Sequence, residues 1–184
     1  MELGPLDEEG VLAGALQVPS PNCDERPADE AVRLLVVHNI SLPPGQFGGD
    51  AIVRLFAGTL DLAAHPYYET LRDLKVSAHF LVRREGELIQ LVPCAQRAWH
   101  AGSSSWRGRE RCNDFSVGVE LEGADDRAYS DPQYSRLAEL LVALRRRYPI
   151  VDVVGHIDIA PGRKTDPGPA FDWGHFRESL ARTQ

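Results

Sequence analysis

Four consecutive apolar residues, Leu34-Leu35-Val36-Val37, run into His38 and Asn39, and an unbroken apolar run of that kind is the pattern of a strand covered on both faces. Residues 116–122 follow a period of two instead. Val117, Val119 and Leu121 alternate with Ser116, Gly118, Glu120 and Glu122, which predicts a strand with one face in the core and carboxylates on the other. Residues 77–84 and 87–92 read as a hairpin turned at Glu85-Gly86. The clearest helix is predicted over 132–148: Asp131 caps it, Pro132 takes its first position, and Tyr134, Leu137, Leu141, Leu144 and Tyr148 recur at spacings of three and four. Residues 150–154 then form the strand that delivers His156. Shorter helices are predicted over 50–57, with Asp50 as cap and Ile52, Leu55 and Phe56 inward, over 66–74, and from Trp173 with Asp172 as cap. The sum is an α/β fold, a central mixed sheet flanked by helices, with the functional site at one edge of the strands.

Size and charge narrow the class. The 184 residues suit one domain over 1–184, an irregular arm rich in proline and acids over 1–30 and a core over 31–180; a chain of this length buries roughly 70% of its unfolded surface. A net charge of −7 argues against nucleic acid or an anionic membrane as partner. No apolar run approaches the ~20 residues that span a bilayer, and the early run Val11-Leu12-Ala13-Gly14-Ala15-Leu16 follows Asp7, Glu8 and Glu9 instead of a basic segment, so it is not read as a signal peptide. Cys23, Cys94 and Cys112 show no paired spacing and are odd in number, which fits reduced thiols in the cytoplasm. Cys112 stands near Arg109 and Arg111, but a spectator thiol is expected over a nucleophile. Arg145-Arg146-Arg147 reads as solvated cations at the negative end of its helix. A cytoplasmic monomer with a small-molecule substrate is the expectation.

The candidate chemistry sits in the loop from His156 to Gly168. In extended backbone, the period of two would put Lys164 and Asp166 on one face, with Arg163 and Thr165 on the other. His38 closes a stiff strand and is presented with little freedom. Together His38, His156 and Asp166 make an N,N,O set for Zn2+ with one position left open, the catalytic pattern of zinc sites. Gly118 leaves room beside Glu120, which could act as general base toward an attacking water. His65 and His175 are expected at the surface, whereas His79 and His100 could line the cleft or simply pack, neither as a ligand. The glycine-rich stretch 43–49 is a candidate lid.

The same residues resemble the zinc-dependent N-acetylmuramoyl-L-alanine amidases of type 2, a family that shares its fold with the peptidoglycan-recognition proteins. Carrying the resemblance are Val37-His38-Asn39-Ile40-Ser41-Leu42-Pro43-Pro44-Gly45, Val76-Ser77-Ala78-His79, Arg97-Ala98-Trp99-His100-Ala101-Gly102, the stretch from Gly108 to Ser116, and the loop from His156 to Gly168. Their joint order, over residues 36–176, is more specific than any one of them. The resemblance implies zinc at His38, His156 and Asp166, a catalytic carboxylate at Glu120 and an oxyanion-stabilising ammonium at Lys164. Phage lysozymes and recognition proteins carry a tyrosine and a cysteine where Glu120 and Asp166 fall, so the pair present here resembles the cytoplasmic recycling enzymes. It further implies hydrolysis of the lactyl to L-alanine amide of 1,6-anhydro-N-acetylmuramyl peptides, a place in peptidoglycan recycling and, through muropeptide levels, an effect on β-lactamase induction. Asn39, Lys75 and Arg111 are then candidates to bind the acidic stem peptide, and Trp99 to stack on sugar or peptide. A non-catalytic muropeptide-binding module is the alternative.

Overall fold

The structure, a computed structural model, describes residues 3–183; residues 1, 2 and 184, which the arm and the domain were expected to include, lie outside the described residues. A six-stranded mixed sheet is built from β1 (Leu16–Gln17), β3 (Leu34–Ile40), β4 (Phe80–Val82), β5 (Leu88–Gln90), β9 (Ser116–Glu122) and β10 (Asp152–Gly155), in the order β1-β5-β4-β9-β3-β10. Only the β4–β5 hairpin is antiparallel; the other four pairings are parallel. Two small antiparallel pairs lie apart from it, β2 (Cys23–Glu25) with β6 (Gln96–Ala98) and β7 (Ser105–Trp106) with β8 (Arg109–Glu110). The helices are α1 (Ala51–Phe56), α2 (Asp131–Arg145), the single turn α3 (His156–Ile159) and α4 (Trp173–Thr183).

Alternation along the two central strands decides which side is core and which is site. Leu35 and Val37 of β3 and Val117, Val119 and Leu121 of β9 pack against Leu137, Leu140, Leu141 and Leu144 of α2 and Phe176 of α4. His38 of β3 and Glu120 of β9 belong to the opposite face by the period of two. They are also direct partners in the β3–β9 register. That second face is covered as well: Ser116 lies against His100, Glu122 accepts from Gly48 N and Arg84 N, and α1 and Tyr68 pack with Leu81 and Ile89.

Several boundaries shift for identifiable reasons. Helix α2 is capped by Ser130, not Asp131: Ser130 Oγ accepts from the backbone of Gln133 and Gln133 returns a bond to the Ser130 backbone, a capping box that outcompetes the carboxylate. Asp50 stands at the start of α1 but makes no cap bond, its carboxylate accepting from Arg54 instead. The segment opened by Pro66 is 3-10 and ends at Leu71. The N-terminal arm is more ordered than its composition suggested. β1 extends the main sheet, β2 pairs with β6, and Arg26 reaches inward to donate to the carbonyls of Cys94, Asn113, Asp114 and Ser116 at 2.8–3.1 Å.

Candidate metal centre and cleft

At the carboxyl ends of β3 and β10 the register brings two histidines together. Gly155 pairs with Val37, so the residue that follows it, His156 at the start of α3, emerges beside His38. Nδ1 of His38 lies 3.0 Å from Nδ1 of His156, and Asp166 Oδ2 lies 3.1 Å from each. Taken as one ligand atom from each residue, the three groups fall within 4.8 Å of one another. Asp166 arrives from a turn, with Ile157 N donating to its carbonyl. The separation of this stretch into two faces, conditional on extended backbone, is not seen: Arg163, Lys164, Thr165 and Asp166 all line the same cavity.

The donor chemistry fits a cation. His156 Nε2 faces Ala101 O at 3.2 Å, a group that can only accept, so that nitrogen holds the proton and Nδ1 offers a lone pair to the cluster. His38 Nε2 is likewise engaged away from the cluster, 2.9 Å from His100 Nδ1. Burial pushes His38 down to about 4, so it is neutral at physiological pH. Burial works to raise Asp166, yet the imidazoles of His156 and His38 outweigh it and hold the carboxyl below the usual range. Two neutral imidazoles and one carboxylate are the ligand types that bind Zn2+ in hydrolases.

Glu120 and Lys164 line the cavity of about 500 Å³ that contains the cluster. Glu120 Oε2 is buried with no hydrogen-bond partner among the described residues. Its pKa is raised well above the ordinary value, first by burial and then by the charge of Asp166. A divalent cation beside Asp166 would oppose the second effect and return Glu120 toward the ionised form a base needs. One wall of the cavity is apolar, built by Leu55 and Phe56 of α1 with Tyr67, Leu71, Leu74 and Val76; the other is polar.

The four candidate substrate residues are placed differently. Asn39 lines the cavity, its amide donating to Asp125 Oδ1 and Pro167 O. Lys75 is exposed between two lining residues, Leu74 and Val76. Arg111 pairs with Asp114 and lines a neighbouring depression that meets the main cavity at Arg163. The Trp99 indole donates to Asp24 Oδ1 at 3.1 Å, in a network with Arg97, outside the cavity lining. Of the loop 43–49, Gly48 N is held by buried Glu122 Oε1 at 2.6 Å, and the segment does not reach the lining; the turns over 67–76 do.

The remaining histidines resolve. His79 and His100 are both buried and neutral, lowered first by burial and next by Arg26 and His38 respectively. Only His100 reaches the cavity. Gly118 makes room for the His100 ring and not for Glu120, since a Cβ on it would lie 2.4 Å from His100 Cγ. His175 is not a plain surface residue but stacks on Tyr134 at 4.4 Å. Cys112 is buried and its thiol is raised by burial, which makes it inert. Arg26 carried no recognisable signal in the sequence, because the carbonyls it donates to lie far along the chain, and Ser116 none, because its bonds to Cys112 O and His100 form only in the fold.

Two imidazoles, a carboxylate and the nearby Glu120 in one cavity are the groups of a metal-dependent hydrolase. The N-acetylmuramoyl-L-alanine amidase family, Amidase_2, matches residues 28–169, and the chain belongs to it. It is 60% identical over 179 residues to 1,6-anhydro-N-acetylmuramyl-L-alanine amidase AmpD of Escherichia coli K12, covering 96% of this chain and 98% of that protein. A crystal structure of a selenomethionine AmpD derivative superposes with a TM-score of 0.92 at 59% identity, over 96% of this chain and 99% of the other. A second solved structure, E. coli AmiD in complex with the substrate anhydro-N-acetylmuramic acid-L-Ala-D-gamma-Glu-L-Lys, gives 0.60 at 29% identity, over 96% and 65%. No helix among the described residues is long and apolar enough to cross a membrane.

Proposed function

We propose that the protein hydrolyses the amide between the lactyl group of a 1,6-anhydro-N-acetylmuramyl sugar and the L-alanine of its stem peptide, with Zn2+ held by His38, His156 and Asp166. The observation that carries this reading is the convergence of Nδ1, Nδ1 and Oδ2 at 3.0–3.1 Å in the cavity that also contains Glu120. Similarity to AmpD over nearly the whole chain supports the substrate.

Zinc held there would supply Lewis acidity to the amide carbonyl. Glu120 takes the proton of the attacking water on its carboxylate and passes it to the departing amine, so one residue serves as base and then as acid. Lys164 brings its ammonium to the oxygen that becomes negative in the tetrahedral intermediate. The apolar wall of Leu55, Phe56 and Leu71 limits the water around these charges, and Asn39, its Nδ2 held by Asp125 and Pro167, offers its Oδ1 to an N–H of the peptide. Lys75 at the mouth and Arg111 in the adjoining depression are proposed to meet the carboxylates of the stem; Trp99 acts through the Arg97 and Asp24 network. The whole chain serves as one catalytic domain, a cytoplasmic monomer that works in peptidoglycan recycling and so influences β-lactamase induction.

Incubation of the zinc-loaded protein with an anhydromuramyl tripeptide, with a chelated control and products identified by mass spectrometry, tests the reading. Metal-dependent release of the intact peptide is expected. Binding without cleavage would make the protein a recognition module, and neither would refute the substrate.

A further inference from the structure

From His38 through His100, at the cavity wall, runs a hydrogen-bonded chain that ends on a backbone carbonyl. Ser116 Oγ lies 2.5 Å from Cys112 O and 3.2 Å from His100 Nε2, and His100 Nδ1 lies 2.9 Å from His38 Nε2. Every group in it is buried. Because each member has few ways to hydrogen-bond, the direction of the whole chain follows from its end.

Cys112 O can only accept, so the single hydroxyl proton of Ser116 goes to it. The hydroxyl then has only lone pairs left for His100 Nε2, which must carry hydrogen. A neutral imidazole has one such proton, and His100 Nδ1 is therefore an acceptor facing His38. His38 Nε2 must donate to it. The remaining nitrogen of His38, Nδ1, is left bare, and it is the atom 3.0 Å from His156 Nδ1 and 3.1 Å from Asp166 Oδ2. We propose that His100 and Ser116 are positioning residues of the metal site, which hold His38 as the tautomer with its proton on Nε2 and its Nδ1 lone pair on the cation.

The ring of His100 is fixed for the task. Asn113 Oδ1 accepts from the backbone of His100 and Ala101 at 3.1 and 2.8 Å, and Gly118 packs flat against the ring where any Cβ would collide with it. His156 reaches the same end by a different device, its Nε2 donating directly to Ala101 O. Were the Ser116 hydroxyl absent, His100 could hold its proton on Nδ1 instead, and His38 would then turn an N–H toward the metal. Outer groups that orient a ligand imidazole in this way are worth 10- to 100-fold in metal affinity.

This inference rests on the metal-site reading, and the test separates the two. Zinc affinity is measured by chelator competition for the wild type, Ser116→Ala, His100→Leu and His100→Asn, and the ring tautomer of His38 is read by long-range proton–nitrogen NMR on metal-stripped wild type. Ser116→Ala and His100→Leu are expected to weaken zinc by roughly 10- to 100-fold. His100→Asn keeps an amide oxygen close to the place of Nδ1 and should recover most of the loss; failure to recover it would reduce His100 to packing and overturn the proposal. Wild type with the proton of His38 on Nδ1 would also overturn it, as would Ser116→Ala binding zinc within twofold of wild type, a variant that removes one oxygen and tests the idea even if His100→Leu does not fold. Wild type that takes up no zinc would instead overturn the metal site itself, and this inference with it.

Discussion

Replacing Glu120 by glutamine should separate stability from catalysis, because the carboxyl is held out of its preferred ionisation state. Its Oε2 is buried without a partner among the described residues, and burial, with Asp166 second, raises its pKa well above the ordinary 4.5. Below that ordinary value both the folded and the unfolded protein hold the proton, and ionisation of Glu120 contributes nothing. As pH rises above it, the unfolded chain releases a proton that the folded chain retains, so wild type loses stability until the folded group also titrates. The slope in that window is about 1.4 kcal/mol per pH unit. For a chain of this size 1 kcal/mol moves Tm by about 2–4 °C, so metal-stripped Glu120→Gln should gain on wild type by roughly 3–6 °C per pH unit. Thermal melts of both proteins between about pH 5 and pH 7, with and without zinc, measure it. Zinc should flatten the difference by favouring the carboxylate. Turnover should fall by roughly 10²- to 10⁴-fold with zinc retained. Parallel pH profiles of Tm in the metal-stripped pair would refute the account of Glu120 as a strained carboxyl, and activity within a few-fold of wild type would remove it from the base role.

Asp166→Ala should lose zinc on dialysis, as read by atomic absorption, and a fully loaded variant would break the ligand assignment. Lys164→Ala should lower kcat by roughly 10²- to 10³-fold; a change confined to KM would make Lys164 a binding residue. Arg26→Ala leaves four backbone carbonyls without their donor and should cost on the order of 3 kcal/mol in urea unfolding, whereas a loss below about 1 kcal/mol would mean that solvent replaces those bonds.

Much of the frame was legible because its signals are local. The apolar run at 34–37, the alternation at 117–121 and the stripe from Tyr134 to Leu144 each reflect the period of one element, and each lies where its period put it. Caps were less legible: Ser130 and Asp131 are both good N-cap residues, and the reciprocal bond from Gln133 chose between them. The arm was misjudged for a related reason. Strands as short as Leu16–Gln17 and Cys23–Glu25 have almost no periodicity, and only the edges offered by β5 and β6 make them strands.

The sequence by itself determined the family, since the motifs around His38, His100 and His156 stand in the joint order of the type 2 amidases. It also determined that His38 and Glu120 stand on strands. What only the tertiary structure decided is everything that depends on register and on backbone partners. The pairing of His38 with Glu120 across β3 and β9 is set by a parallel register that no turn fixes in advance. Two successive turns, closed by Lys164 N on Ala160 O and Gly168 N on Thr165 O, bring residues 163–166 to one cavity. Gly118 makes room for the His100 ring, and the bonds of His100 to His38 and Ser116, and of Ser116 to Cys112 O, arise only in the fold. A backbone carbonyl is present at every position, so the sequence carries no mark of the one that will accept a proton. Such contacts become specific only when folding removes water and leaves a buried donor a single place to go.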